Sequence, residues 1–178
     1  RARFDGTRLV DAEDIFVADA WTTSDVNFGS RLAFAPDGTL YMTIGERNFP
    51  FPQNQGMSAQ KLDTHMGKIL RLRDDGTVPP DNPYAGTPGH KPEIFSYGHR
   101  NPQGIAIHPE SGEVWASEHG PLGGDEVNII LPGRNYGWRV IGFGVNYQTG
   151  LAIHAGTHRQ GMEQPVHVWV PSIGISGL

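Results

Sequence analysis

The 178-residue chain has no cysteine, which excludes disulfide scaffolds, zinc–cysteine sites and thiol nucleophiles together. It has no run approaching the roughly 18 apolar residues of a membrane span, and the start, Arg1-Ala2-Arg3-Phe4-Asp5, does not read as a signal peptide. It also lacks clustered positive charge. With 14 Lys+Arg against 19 Asp+Glu the formal net charge is −5, so no electrostatic footprint points to nucleic acid or to an anionic membrane surface. Long helices are excluded by what is abundant instead, 24 Gly and 14 Pro, because an interior Gly costs about 1 kcal/mol and an interior Pro about 3. Hydrophobic residues at 37% and charged residues at 19% fit a globular domain rather than a disordered chain.

The apolar segments are short and punctuated by turns. Ser30 to Pro36 runs into Asp37-Gly38, and Thr39 to Ile44 follows, which reads as strand, turn and strand. Lys68 to Arg73, ended by Asp74-Asp75-Gly76, and Glu93 to Tyr97 add two more strands, completing an antiparallel meander. The pattern then restarts. Gln103 to Pro109 leads through Glu110-Ser111-Gly112 into Glu113 to Ser117, with Pro36 and Pro109 at equivalent places 73 residues apart. Glu126 to Leu131 and a segment around Tyr136 to Val140 are the next strand candidates. Repetition of a four-stranded unit favours an all-β propeller over the alternative, a β-sandwich.

Two connections are long: residues 47–66, with Pro50 and Pro52, and residues 77–92, with five prolines. On a propeller such loops project from the faces and are candidates for function. Two blades with flanking pieces do not close a ring, and Ser176-Gly177-Leu178 reads as the start of another strand. Residues 1–178 are therefore expected to be a partial propeller domain lacking N-terminal and C-terminal blades, and to self-associate through uncovered edges.

Three polar clusters carry chemistry. In Gly98 to Gly104, Arg100 offers a five-donor planar fork for carboxylates and Asn101 an amide beside it; a structural ion pair is the alternative. Glu118 to Asn128 combines acids with Gly-rich backbone, the oxygen donors a hard cation such as Ca²⁺ takes; satisfaction of loop backbone groups is the alternative. In Asn135-Tyr136-Gly137-Trp138, Trp138 is expected to pack in the core. His65, His154, His158 and His167 show no mutual metal spacing and read as surface or core residues.

Taken in order with Phe28 to Leu32 and Met66 to Leu72, these clusters resemble the quinoprotein aldose sugar dehydrogenases, the glucose/sorbosone dehydrogenase family. The resemblance implies a six-bladed β-propeller of which this chain covers about half, holding pyrroloquinoline quinone (PQQ) over the central channel with Ca²⁺ at the quinone. It implies a small-molecule sugar substrate and a periplasmic or secreted location. Carried over by position, Arg100 and Asn101 contact the cofactor. Gly120 and Pro121 donate main-chain carbonyls to the active-site Ca²⁺, while Glu126 and the Tyr136 carbonyl bind a second, structural Ca²⁺. Trp169 lies where an aromatic meets the cofactor. The implied reaction moves the anomeric hydride to the quinone while a histidine oriented by a carboxylate takes the hydroxyl proton. Here the sequence departs from the pattern: the base position holds Asn27, although the expected orienting carboxylate, Glu46, is present. The resemblance thus implies either a sugar dehydrogenase impaired at its base or a non-catalytic calcium-binding propeller that binds a sugar or a protein partner.

Overall fold

The computed structural model describes residues 1–47 and 57–178. Pro50 and Pro52 of the first long connection lie outside the described residues. Among the described residues there is no α-helix, only a single 3₁₀ turn at Met57–Gln60. A small hairpin, β1 (Arg3–Phe4) with β2 (Leu9–Val10), precedes two four-stranded antiparallel sheets. The first is the meander β3 (Gly29–Phe34), β4 (Leu40–Ile44), β5 (Lys68–Leu72) and β6 (Ile94–Tyr97). The second is β7 (Pro102–Ile107), β8 (Val114–Glu118), β9 (Asp125–Ile130) and β10 (His167–Trp169).

The turns form for the reasons read from sequence. Gly38 sits at φ 82°, a conformation costly for a residue with a Cβ, and Asp37 accepts from the Thr39 N–H (2.9 Å) and hydroxyl (2.7 Å). Asp75 and Thr77 repeat that arrangement around Gly76. Successive strand residues face opposite ways, and each sheet face has its own core. Ile69 packs with Tyr41 and Phe95 against Ile105, Val114 and Ile130 of the second sheet. Its neighbour Leu70 faces the other side with Ile44, Met66 and Ile94, under Ala20. Burial of such a side chain contributes about 1.5–3 kcal/mol.

Two expectations need correction. The segment around Tyr136 to Val140 is not a strand; the fourth strand of the second sheet is β10, reached after a long excursion. Gly133 and Gly137 adopt φ 72° and 89°, and the Asn135 side chain accepts the Gly137 N–H at 2.9 Å, so the backbone turns. Nor does Ser176 to Leu178 pair as a strand among the described residues. It lies instead against the second sheet, where Ser117 Oγ donates to the Gly177 carbonyl at 3.4 Å. The same link joins the sheets to each other, Thr43 Oγ1 donating to the Pro102 carbonyl at 3.0 Å. Arg31 bridges both junctions, donating to the Gln103 carbonyl (3.3 Å) and the Ser176 carbonyl (3.2 Å). Within residues 77–92 one side chain ties the loop to the first sheet. Asn82 is buried and donates to the carbonyls of Arg71 and Pro92.

Candidate functional site

The loops entering β7 and leaving β8 meet at one end of the second sheet, around a buried carboxylate. Glu118, last residue of β8, is 5% exposed. Its Oε1 lies 3.1 Å from His99 Nδ1 and its Oε2 accepts the Arg100 N–H at 2.7 Å. His99 is fully buried, shares a hydrogen bond of 2.8 Å with Ser96 through Nε2, and stacks on Tyr136 at 4.7 Å. A buried charge is tolerable only when paired and hydrogen-bonded, and here every partner comes from residues 96–100.

That anchorage places Arg100. Its Nη1 donates to the carbonyls of Gly120 (2.6 Å) and His119 (3.0 Å), and its Cζ lies 5.3 Å from the Trp138 ring centre. The Gly120 loop is itself held by Asp125, which accepts the Gly120 N–H through Oδ1 (3.0 Å) and the N–H groups of Ile173 (3.1 Å) and Gly174 (2.7 Å) through Oδ2. Burial pushes the Asp125 carboxyl up, but hydrogen bonds from Ser172, Gly174 and Gly120 outweigh it, and the group titrates below the usual carboxylate range. The Pro121 carbonyl accepts from Ser172 Oγ at 3.3 Å.

A small cavity opens between these groups, with about 20 Å³ of room for the centre of a water-sized sphere, enough for one water or ion. It is bordered by Arg100, Gly120, Pro121, Glu126 and Tyr136, five of the nine residues singled out from sequence, and also by Glu118 and His154. Burial and the neighbouring Glu118 charge push the Glu126 carboxyl up to about 8. No lysine or arginine forms an ion pair with either acid among the described residues; Glu118 pairs with His99 alone. Two close carboxylates without a lysine or arginine partner among the described residues form a donor set that suits a cation. No group of three or more His, Asp or Glu that could hold a metal exists among the described residues, so a cation here would take backbone carbonyls as well, as hard cations do.

Of the other predicted residues, Asn27 and Glu46 lie at the neighbouring sheet end, while Asn101 and Trp169 stand at the second sheet's own end outside the cavity. Asn27 Nδ2 donates to Glu46 Oε1 at 3.0 Å. The Glu46 N–H donates to the Arg100 carbonyl at 2.8 Å, joining the two ends. Asn101 Oδ1 accepts from the Gly29 N–H (3.1 Å) and from Gln103 (3.0 Å). Trp169 lies on β10 opposite Asp125, its ring 4.3 Å from that of His167; it does not border the cavity. Sequence reasoning missed Asp125 and His154. His154 Nδ1 meets the Arg139 carbonyl at 3.1 Å and the ring sits edge-on to Trp138 at 5.2 Å. Burial lowers its pKa, which keeps it neutral.

Comparison with known proteins is consistent along the whole chain. The Glucose / Sorbosone dehydrogenase family profile matches residues 1–178. The chain is 42% identical over 176 residues to aldose sugar dehydrogenase YliI of Escherichia coli K12, covering 98% of this chain and 46% of that protein. It superposes on the crystal structure of a glucose dehydrogenase with a TM-score of 0.90 at 45% identity, covering 99% of this chain and 50% of that one. A PQQ-bound aldose sugar dehydrogenase from Streptomyces coelicolor superposes with a TM-score of 0.64 at 36% identity, over 82% of this chain and 36% of that one. The chain thus spans about half the length of these relatives. With the family profile matched from end to end, the chain belongs to the glucose/sorbosone dehydrogenase family.

Proposed function

We propose that this chain supplies two blades and the flanking pieces of a six-bladed propeller that oxidises aldose sugars with PQQ and Ca²⁺. The observation that carries the reading is the Arg100 site: a buried guanidinium held on the His119 and Gly120 carbonyls beside a two-carboxylate cavity. The equivalent links Thr43–Pro102 and Ser117–Gly177 support the propeller, because each ties one unit to the segment that follows it.

The residues present fit both groups. Arg100 Nε is a buried donor without a partner among the described residues, suited to an anionic cofactor, and Asn101 follows it in the chain. Glu126 and the Tyr136 carbonyl would hold one Ca²⁺, and Gly120 and Pro121 would offer carbonyls to another once Arg100 Nη1 and Ser172 Oγ, which donate to them, give way. When bound, the quinone supplies the hydride acceptor and Ca²⁺ the Lewis acidity. The chain's own part is to orient and to hold charge. Glu118 fixes the Arg100 backbone, Asp125 fixes Gly120, and Glu46 holds Asn27. The proton step is where the chain departs from its family. Asn27 is an amide and cannot accept a proton near neutral pH, so turnover is expected to be impaired. That residue also favours the second reading, a calcium-binding propeller without catalysis.

The two readings separate on adding PQQ with Ca²⁺ to the full protein and recording the cofactor's absorbance. A saturable spectral shift supports the dehydrogenase lineage of the site. No shift, with Ca²⁺ still raising the melting temperature through mass action, supports the non-catalytic reading.

A further inference from the structure

The Gly120 carbonyl, expected to face a metal ion, already faces a cation. Arg100 Nη1 donates to it at 2.6 Å and to the His119 carbonyl at 3.0 Å, and Arg100 is only 9% exposed. Carbonyl oxygens attract a guanidinium and a hard cation by the same dipole, and two positive charges on one carbonyl repel each other. The chain uses this device elsewhere. Fully buried Lys68 donates from Nζ to the carbonyls of Ser58 (3.0 Å), Ala59 (3.2 Å) and Met66, holding a carbonyl nest with its own cation.

Arg100 differs from Lys68 in two respects. Its Nε is buried with no hydrogen-bond partner among the described residues, so the closed arrangement leaves one donor unsatisfied there. Its backbone is fixed separately, by Glu118 Oε2 on the N–H and by the Glu46 N–H on the carbonyl. The side chain can therefore leave the carbonyls while the loop stays in place.

We propose that Arg100 is a placeholder cation: it occupies the Gly120 and His119 carbonyls until an anionic quinone draws the guanidinium away, so that metal and cofactor load together. The proposal rests on the functional reading above. It predicts that Arg100 opposes Ca²⁺ when the metal is offered alone and ceases to oppose it once PQQ is present.

The test is calorimetric titration of the full protein with Ca²⁺, with and without saturating PQQ, for the parent, Arg100→Gln and Arg139→Gln. Arg139 borders the same surface as Arg100 and controls for loss of a nearby charge. Without PQQ, the parent should bind one Ca²⁺ tightly, and Arg100→Gln should bind a second at least tenfold more tightly than the parent does. PQQ should tighten the parent's second Ca²⁺ by a similar factor and leave the Arg100→Gln value unchanged. Arg139→Gln should match the parent. Equal Ca²⁺ binding by parent and Arg100→Gln, or equal tightening by both substitutions, overturns the proposal while PQQ binding by the parent leaves the functional reading standing. Failure of the parent to bind PQQ overturns both. Should Arg100→Gln not fold, Arg100→Met replaces it. Methionine keeps an apolar stem and removes the charge, so the same tightening is expected, and parent-like binding overturns the proposal.

Discussion

Asn27, two residues before β3, and Arg100, two residues before β7, stand at equivalent positions of the two sheets. Each reaches across to the residue two places beyond the end of the adjacent strand. Asn27 donates to the Glu46 carboxylate at 3.0 Å, and Arg100 donates to the Gly120 carbonyl at 2.6 Å. The backbone repeats closely, with Gly45 N–H to Phe28 carbonyl at 3.0 Å matched by His119 N–H to Asn101 carbonyl at 3.1 Å. The strand ends diverge: β4 ends on buried Ile44, β8 on buried Glu118. One scaffold therefore presents a site end rich in buried charge and, beside it, an end where a neutral amide meets a carboxylate. Ladder and turn geometry repeat because backbone hydrogen bonding fixes them, whereas side chains beyond the strand ends are free to differ.

The comparison breaks first at Glu118. Glu118→Ala strips His99 and the Arg100 N–H of their partner, and losing one member of a buried pair costs about 3–5 kcal/mol. Urea unfolding should show it, and a loss below about 1 kcal/mol would mean that Glu118 does not organise its sheet end. Next comes Asn27→His in the full protein. A positioned base typically contributes about 10²–10⁴-fold, and Glu46 is placed to orient the imidazole. Sugar-oxidation turnover should rise by that order and increase with pH as the imidazole loses its proton; unchanged turnover would show that the proton leaves by another route, with Glu46 the first group to substitute. Asp125→Ala is smaller, about 1–3 kcal/mol for the donors left unpaired. Hydrogen exchange should speed at Gly120, Ile173 and Gly174 together, since one carboxylate holds all three.

The smallest expected effect lies away from both ends, at His65. Its Nδ1 accepts the Asp19 N–H at 2.8 Å, which leaves the ring proton on Nε2 toward Glu93. Burial depresses its pKa below the ordinary value. The unfolded chain then takes the proton first, so this contribution is whole above about pH 6.5 and is lost as pH falls through the folded value. The parent should lose stability on acidification more steeply than His65→Asn, whose amide oxygen can still accept from Asp19. Parallel losses would remove His65 from the account.

Legibility in the sequence followed range. Seven of the eight strands in the two four-stranded sheets announce themselves by short apolar runs between Gly and Asp turns, because that information is local. Tyr136 to Val140 has strand-like composition, yet Gly133, Gly137 and the Asn135 side chain turn it. β10 is three residues long with no periodic signal of its own, and pairing with β9 alone defines it. Arg100, Gly120 and Glu126 stand in recognisable motifs. Asp125 lies in the same motif, but its role depends on Ile173 and Gly174, 48 and 49 residues away, and no local pattern carries that.

The most direct test of the division between the two ends is PQQ affinity, measured in saturating Ca²⁺ for Arg100→Ala and Asn27→Ala of the full protein. If Arg100 binds the cofactor and Asn27 stands only where a base would act, Arg100→Ala should weaken PQQ binding at least tenfold, as loss of a charge-assisted contact worth about 1.5–3 kcal/mol requires. Asn27→Ala should stay within about twofold. Unchanged PQQ affinity in Arg100→Ala, or a larger loss in Asn27→Ala, would contradict the account.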